Sequence, residues 1–323
     1  MNRLIPVLLF ACLLLFKPSH TEADPIEYTL ANFPDLTTFQ FEFCGERIPV
    51  ELPEVREQLK AELVKRKRSF RESKELLLRT YRYKNTFQKI LRKAGIPEDF
   101  FYIAVAESEL SNVTSPKGAT GFWQFMPQTA QEFGLELSKT VDERYDPEKA
   151  TYAASKYFRR AHRVFKNWAL AATSYNIGIG GLQRAIEKQQ TTNLFELDLN
   201  QESKNYIYRI VSLKHLLENP TIYGIYSVDY QSYSVVPYKI VTIQENIESF
   251  SQFSDYYKVK RSDLRLMNPW MISDKLIAKA GKSYHIRVPL KDSFRAEELL
   301  TDSMRKLRLA NRREIAENTV LPK

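Results

Sequence analysis

Residues 97–127 read PEDFFYIAVAESELSNVTSPKGATGFWQFMP, and the organisation of the chain follows from this stretch. Its first half predicts a helix, because Pro97 suits the first helical position, acidic residues come next at the positive end of the helix dipole, and an apolar run follows. At 3.6 residues per turn, Glu107 falls on the same face as Phe100 and Ile103. The sequence therefore places one carboxylate on a face that is otherwise directed to the core.

Two interpretations of Glu107 are open at this point. A carboxylate in apolar surroundings is costly unless it is paired, and desolvation raises its pKa, which suits a general acid that works near neutral pH. The alternative is a structural glutamate at the rim of a packed helix. The stretch alone does not decide between these roles.

The composition indicates a globular protein with an anionic partner. The 323 residues give room for about two domains, and 43% hydrophobic with 27% charged residues is typical of soluble globular proteins rather than disordered or membrane-spanning ones. Lysine and arginine number 48 against 39 acidic residues, a net charge of +9. This balance suits nucleic acid, membrane lipid or an acidic polymer, without choosing among them.

Residues 1–23 predict a secretory signal peptide. Arg3 precedes an apolar core at residues 4–16, and the segment ends at Ala23, after which we expect cleavage. The core is shorter than the roughly 20 apolar residues that a membrane-spanning helix needs. The alternative is lipidation at Cys12, within Leu-Phe-Ala-Cys. Both interpretations predict an exported protein of the periplasm or cell envelope, with association to the outer membrane left open.

Metal, cofactor and nucleic-acid sites are not predicted. Cys44 is the single cysteine outside the signal peptide and the 4 histidines are widely spaced, so no disulfide or metal-ligand pattern is found, and we expect no cofactor. The basic run KRKR at residues 65–68 lacks an aromatic stacking platform or a nucleic-acid motif. A solvated basic face is therefore favoured over a nucleic-acid partner. The oligomeric state is not indicated.

The chain from Pro53 to Pro220 is predicted to be helical, with no convincing strand. Capping residues mark the helix ends, because Asp146 precedes a Pro at a first helical position and Asn167 precedes another apolar run. That second run is predicted to break near Tyr175, and a short helix at 182–187 follows.

A smaller unit follows the helical region. We predict strands at residues 238–243 and 284–288, a helix at 245–256 and another helix begun by Ser262 and Asp263. The fold class is therefore mainly α, a helical domain followed by a small β-α-α-β domain. The predicted boundaries are 1–23 (signal peptide), 24–94 (lead-in and helical segment), 95–220 (helical domain), 221–236 (linker), 237–290 (β-α-α-β unit) and 291–323 (charged helical tail).

Three separated segments are more specific than composition requires. They are Glu107-Ser108 with SPKGATGFWQFMP at 115–127, ATSYNIG at 172–178, and ESKNY at 202–206. In this order they resemble the family 1 lytic transglycosylases, and the membrane-bound lytic murein transglycosylase D branch in particular, over residues 96–220. The resemblance implies a lysozyme-like helical fold with a saccharide cleft.

The resemblance also implies a set of site residues. Glu107 stands where the family has its single catalytic glutamate. The residues that then line or support the cleft are Ser108, Ser115, Gln124, Met126, Tyr175, Asn176, Glu202 and Tyr206. Neutral hydrogen-bonding side chains and aromatic faces suit the hydroxyl and acetamido groups of sugars. Asn176 and Glu202 also have structural explanations at helix ends, and Phe122, Trp123 and Phe125 suit either the core or the cleft.

The family's chemistry, as the resemblance implies it, uses one glutamate twice. As acid it protonates the oxygen that links N-acetylmuramic acid to N-acetylglucosamine, and as base it takes the proton of the muramoyl 6-hydroxyl, which closes a 1,6-anhydro ring without water. No clear second carboxylate is found, whereas ordinary glycosidases use a pair. The open alternatives are a lysozyme-type hydrolase and a non-catalytic wall-binding protein. The expected partner is the peptidoglycan glycan strand, and peripheral membrane association is left open.

Residues 238–289 loosely resemble a LysM module, a β-α-α-β unit that binds peptidoglycan and chitin. The resemblance is carried by YKIV at 238–241, RSDLRLMNP at 261–269 and IRVP at 286–289. The usual Gly-Asp-Thr-Leu after the first strand is replaced by IQEN at 243–246. The alternatives are therefore a glycan-binding module and a degenerate module retained for packing.

Overall fold

A computed structural model describes residues 34–67, 70–223, 225 and 236–290, with the backbone alone described for 66, 67 and 70–73. The predicted signal peptide with Cys12, most of the linker and the charged tail lie outside the described residues. From Leu36 onward, the described residues belong to one compact unit. Within this part of the chain, no helix has both the length and the apolar character that crossing a bilayer requires.

Eight α-helices occupy the described residues from Pro53 to Glu218, which confirms the mainly helical fold class. The helices are α1 (Pro53–Lys67), α2 (Phe70–Lys93), α3 (Phe101–Ser108), α4 (Pro127–Glu132), α5 (Pro147–Phe165), α6 (Trp168–Ile177), α7 (Ile179–Gln189) and α8 (Gln201–Glu218). A short antiparallel ribbon of β1 (Glu42–Phe43) and β2 (Glu46–Arg47) precedes them.

Helix α3 is buried on all sides rather than along one face. Its residues 101–106 are all buried, and it packs against α2 and α8. The predicted helix start at Pro97 is wrong, because residues 98–100 form a 3-10 turn and the α-helix begins after it. Asp99 is occupied elsewhere, since its carboxylate accepts bonds from the Cys44 N–H at 2.7 Å and from Lys214 Nζ at 2.8 Å.

The capping residues of α5 and α6 act as predicted. Asp146 Oδ1 accepts the N–H groups two and three residues further on, at 2.9 and 3.0 Å, so α5 begins at Pro147. Asn167 Oδ1 accepts the Leu170 N–H at 2.7 Å and starts α6. These side chains satisfy N–H groups that lack partners inside the helix.

Gly178 separates α6 from α7. Its φ of +83° is in the region that favours glycine, so the helix direction changes there. The predicted break at Tyr175 is wrong by two residues, because α6 continues to Ile177. The short helix predicted at 182–187 is a longer one, residues 179–189.

The described C-terminal residues form the predicted β-α-α-β unit. β3 (Tyr238–Ile243) pairs antiparallel with β4 (Tyr284–Pro289), and α9 (Phe250–Tyr256) and α10 (Arg261–Met267) lie between them in sequence. The register sets the first residue of β3 against the last residue of β4.

The start of α9 differs from the sequence prediction. The helix begins at Phe250 rather than at residue 245. The reason is a β-bridge between Ile247 and Leu276, whose backbone groups exchange two hydrogen bonds of 2.9 Å. Ser249 then caps the helix by accepting the Gln252 N–H.

Candidate active site

Glu107 lies in the last turn of α3 and contacts Tyr206 of α8. The Tyr206 hydroxyl donates a hydrogen bond of 2.5 Å to Oε1 of Glu107, across 99 positions of sequence. Tyr206 is fully buried, whereas Glu107 is partly exposed. The carboxylate is therefore anchored from the protein side while part of the side chain meets solvent.

The surroundings of Glu107 favour its protonated form. Burial raises the pKa of Glu107 above its ordinary value; the Tyr206 hydrogen bond and the positive charge of Arg209 oppose this rise, and the negative charge of Glu202 adds to it. Burial and the adjacent Glu107 also raise the pKa of Tyr175 and Tyr206 well above the ordinary range, so both hydroxyls remain protonated. Glu107 thus holds its proton more readily than a solvated glutamate does.

One face of α8 carries Glu202, Tyr206 and Arg209, which follow one another at spacings of four and three residues. Asn176 of α6 joins this face, because its Nδ2 lies 3.4 Å from a Glu202 carboxylate oxygen and its Oδ1 accepts a 2.7 Å bond from the Ser203 hydroxyl. Arg209 and Ser203 are absent from the set predicted from sequence. The three-residue spacing from Tyr206 is the signal that identifies Arg209.

Residues 113–126, here named the cleft loop, are fastened to the end of α3. The Ser108 hydroxyl donates a 2.8 Å bond to the Phe122 carbonyl oxygen. Gln124 has a φ of +48°, and its Nε2 donates to two loop carbonyl oxygens at 3.0 and 2.9 Å. Ser108 and Gln124 therefore hold the loop beside Glu107.

The bulky aromatic residues of the cleft loop belong to the core. Phe122, Trp123 and Phe125 are at most 2% exposed, and Trp123 Nε1 donates to the Thr151 hydroxyl at 2.9 Å. The Tyr175 hydroxyl donates a 2.7 Å bond to the Trp123 carbonyl oxygen. Tyr175 thus ties the loop to α6 while the rings pack inside.

Ser115 and Met126 lie at the two ends of the cleft loop. The Ser115 hydroxyl accepts the Ala119 N–H at 3.1 Å within its own turn. Met126 is 44% exposed immediately before α4. Ser115 therefore stabilises a turn of the loop, and Met126 presents an exposed side chain at the end of the loop.

The predicted site residues therefore form two connected groups. Hydrogen bonds or electrostatic coupling bring together Glu107, Tyr206, Glu202, Asn176 and Tyr175. The other group belongs to the cleft loop and its attachment to α3. Across the described ranges, no group of three or more His, Cys, Asp and Glu side chains is arranged to hold a metal ion.

Two family models match this chain. Residues 85–197 match the model of the transglycosylase SLT domain. This region is similar to transglycosylase SLT domains. Residues 239–292 match the model of the soluble lytic transglycosylase C-terminal LysM-like domain. The family resemblance inferred for the helical region and the LysM resemblance of the C-terminal unit are both confirmed, and we refer below to the SLT domain and the LysM-like module.

Individual relatives cover part of the chain. Membrane-bound lytic murein transglycosylase D of Escherichia coli strain K12 is 29% identical over 192 residues, which are 57% of this chain and 42% of that protein. The protein of the same name from Escherichia coli O6:H1 has the same identity and coverage. The chain therefore spans less than half the length of these relatives. Among solved structures, an inactive mutant of lytic transglycosylase Slt from Pseudomonas aeruginosa is 20% identical, with a TM-score of 0.34 over 43% of this chain and 24% of that one.

Proposed function

We propose that this protein is a lytic transglycosylase of peptidoglycan, which cleaves the β-1,4 bond between N-acetylmuramic acid and N-acetylglucosamine without water. The observation that carries the proposal is the state of Glu107 within an SLT domain. Its carboxyl group has a pKa raised by burial, and one of its oxygens accepts the Tyr206 hydrogen bond. Those are the properties of a group that can give and regain a proton near neutral pH.

In the first step, Glu107 acts as the acid. It gives its proton to the glycosidic oxygen, the bond from that oxygen to the muramoyl anomeric carbon breaks, and N-acetylglucosamine leaves with a new hydroxyl group. Glu107 becomes a carboxylate in this step. The Tyr206 hydroxyl stabilises the developing negative charge, because it already donates to Oε1.

In the second step, the same carboxylate acts as the base. It takes the proton of the muramoyl 6-hydroxyl, whose oxygen then bonds to the anomeric carbon and closes the 1,6-anhydro ring. Glu107 is protonated again, so one residue completes the cycle and no water is consumed. A single carboxyl group suits this chemistry, whereas hydrolysis by the usual glycosidase routes requires a carboxylate pair.

The residues around Glu107 are proposed to bind the glycan. Asn176 and Glu202 offer amide and carboxylate groups to sugar hydroxyl and acetamido groups, with Tyr206 at the base of the same face. Gln124 and Met126 contribute from the cleft loop. Ser108, Ser115 and Tyr175 are proposed to act on the substrate through that loop, since their hydroxyl groups bond to its backbone.

The proposed location is the cell envelope, where the substrate is found. The E. coli relatives are named membrane-bound lytic murein transglycosylase D. The basic balance of +9 suits an anionic wall polymer. Export by a signal peptide ending at Ala23, with or without peripheral attachment to a membrane, completes the proposal.

Mass spectrometry of products released from purified cell-wall sacculi tests this function. We expect the wild-type protein to release fragments with 1,6-anhydro-muramoyl ends, and Glu107→Gln to release none above background, because glutamine is similar in shape but cannot donate or accept the proton. The matched control is Glu109→Gln, two residues along the chain and beyond the end of α3.

Other outcomes identify the alternative functions. Reducing muramoyl ends without anhydro products would indicate a lysozyme-type hydrolase. Equal release by the wild type and by Glu107→Gln, at the level of buffer alone, would indicate a wall-binding protein that keeps the fold without the chemistry.

A further inference from the structure

The LysM-like module is built around a segment of the SLT domain. Residues 136–146, here named the joining segment, lie within the SLT match and contact the module through their backbone. Val141 forms a β-bridge with Met271, the Asp142 N–H donates to the Trp270 carbonyl oxygen at 2.8 Å, and the Ile272 N–H donates back to the joining segment at 3.1 Å. Val141 is fully buried within the hydrophobic core of the module.

Charged groups strengthen the same contact. The side chains of Glu136 and Glu143 are only 2% and 3% exposed, and the ammonium group of Lys282 in the module lies 2.8 and 2.7 Å from their carboxylate oxygens. The Tyr284 hydroxyl also donates to Glu136 at 2.9 Å. Buried carboxylates require such partners, and Lys149 of α5 also bonds to Glu143 at 2.6 Å, so the module supplies part of the charge balance of the joining segment. Arg287 adds a further ion pair, at 3.3 Å from Asp146.

The opposite side of the joining segment supports the cleft loop. Arg144 Nη1 donates to the carbonyl oxygens of Gly118 and Phe125 at 3.0 and 3.1 Å, while Asp142 holds the same guanidinium at 2.7 Å. The Arg144 carbonyl oxygen lies so close to Gly121 that a Cβ there would stand 2.0 Å from it. Arg144 thus binds both ends of the loop's central turn.

The cleft loop in turn contacts the proposed catalytic region. Its Phe122 carbonyl oxygen accepts the Ser108 hydroxyl at 2.8 Å, next to Glu107 in sequence, and its Trp123 carbonyl oxygen accepts the Tyr175 hydroxyl at 2.7 Å. A continuous series of short contacts therefore runs from the module through Arg144 to the residues beside Glu107.

We propose that the LysM-like module is a fixed buttress of the cleft and that Arg144 is the positioning residue through which it holds the cleft loop. This role rests on the proposed transglycosylase function, since it concerns the geometry of that site. The module is needed for turnover itself, in addition to any affinity that its outer surface has for glycan. A displacement of about 1 Å near a reacting group can lower a rate by about 100-fold, so loss of this support affects chemistry without direct contact to substrate.

The test uses variants that keep both the SLT domain and the module, and it takes two measurements. Lys282→Ala removes the ammonium group that bonds to both buried carboxylates and leaves the Tyr284 bond to Glu136 in place. Arg144→Lys keeps a positive charge but loses the guanidinium that bonds to the two loop carbonyl oxygens and to Asp142 together. The matched control is Arg261→Ala, which breaks an ion pair with Asp274 on the exposed side of the module. The measurements are kcat and KM on a short soluble peptidoglycan oligosaccharide, and amide hydrogen exchange without substrate.

We expect Lys282→Ala and Arg144→Lys to lower kcat by about 10-fold or more, with KM within about 3-fold of wild type. Exchange should accelerate at the amides of Thr120 and Phe125, whose backbone groups bond to each other in the loop. Lys282→Arg should restore most of the rate, and Arg261→Ala should match wild type. A merely structural loss would instead lower the amount of folded protein and leave its kcat and loop exchange unchanged.

Two results would overturn the buttress. One is wild-type kcat and wild-type exchange in folded Lys282→Ala and Arg144→Lys. The other is a lower release of products from insoluble sacculi together with a wild-type kcat on the soluble oligosaccharide, which would indicate that the module acts by binding glycan. If the wild type cleaves neither substrate, the proposed function fails, whereas the exchange measurement still tests the buttress on its own.

Discussion

Replacing Tyr206 by phenylalanine tests the site at its shortest contact. The substitution removes one oxygen atom and with it the 2.5 Å hydrogen bond to Glu107, while the ring stays in its fully buried position. Hydrogen bonds to charged groups contribute about 1.5–3 kcal/mol. Because the bond stabilises the carboxylate that forms as the leaving group departs, this energy is lost from the transition state. At 1.36 kcal/mol per tenfold change, kcat should fall by about 10- to 150-fold.

The same substitution has a predicted effect on pH dependence. The Tyr206 bond lowers the pKa of Glu107, so its loss raises that pKa further. The acid form then persists to higher pH, and the basic limb of the kcat/KM profile should move upward. The assay is the initial rate of anhydro-product release on a soluble oligosaccharide, measured from acid to alkaline pH.

A matched control is Tyr223→Phe. Tyr223 is also buried and its hydroxyl shares a 2.6 Å hydrogen bond with His215, which lies nine residues beyond Tyr206 and so about 13 Å along α8. We expect this variant to keep the wild-type profile even if its stability falls. A loss of less than about 3-fold in Tyr206→Phe, or a basic limb that moves to lower pH, would show that Tyr206 does not stabilise the Glu107 carboxylate.

Three further predictions concern charge and backbone. Because burial raises the pKa of Glu107, the folded protein binds this proton more tightly than the unfolded chain does, and stability is lost as pH rises from about 4.5 through the folded pKa. Glu107→Gln should therefore unfold at a higher temperature than wild type at neutral pH, and the difference should vanish below the ordinary glutamate pKa. Equal melting curves at pH 7 would contradict this. Glu202→Gln removes a negative charge that raises the pKa of Glu107, so the basic limb of its rate profile should move to lower pH. Arg209→Met removes a positive charge that lowers this pKa, so its basic limb should move to higher pH. Movement of both limbs in the same direction would show that these charges do not set the pKa of Glu107. Gly121 has a φ of +81° and lies against the Arg144 backbone, so Gly121→Ala should lower the free energy of unfolding by about 2–5 kcal/mol in denaturant titrations. Gly118 has a φ of +85° but faces open space, so Gly118→Ala should lower it by about 1–2 kcal/mol. Similar losses for the two variants would show that the Gly121 contact relaxes freely.

Local rules were sufficient for much of the helical domain. Asp146 and Asn167 cap α5 and α6 as predicted, because a cap depends on residues only two or three positions away. The β-α-α-β order of the C-terminal unit followed from the same kind of local pattern. The prediction was wrong at the start of α9. There Ile247 forms a β-bridge with Leu276, 29 residues further on, so residues 245–249 are not part of the helix.

The candidate site likewise combines features that local sequence predicts with features that depend on packing. The segments that carry Glu107 and Tyr206 were recognised from their residues, but the bond between them joins positions 99 residues apart and depends on how α3 packs against α8. The aromatic residues of the cleft loop fitted core or cleft equally well, and burial assigns Trp123 to the core. The role of Arg144 was not predicted from sequence, because it depends on the module and the loop meeting the same segment.

If Glu107 directs an internal attack rather than hydrolysis, no oxygen from water enters the products, and digestion in heavy-oxygen water shows whether it does. Sacculi are digested in heavy-oxygen water with wild-type protein, and the muramoyl ends are analysed by mass spectrometry. We expect anhydro ends that carry no heavy oxygen. Muramoyl reducing ends that carry heavy oxygen and increase in number as digestion proceeds, in place of anhydro ends, would contradict it, because each new reducing end requires water to open a glycosidic bond.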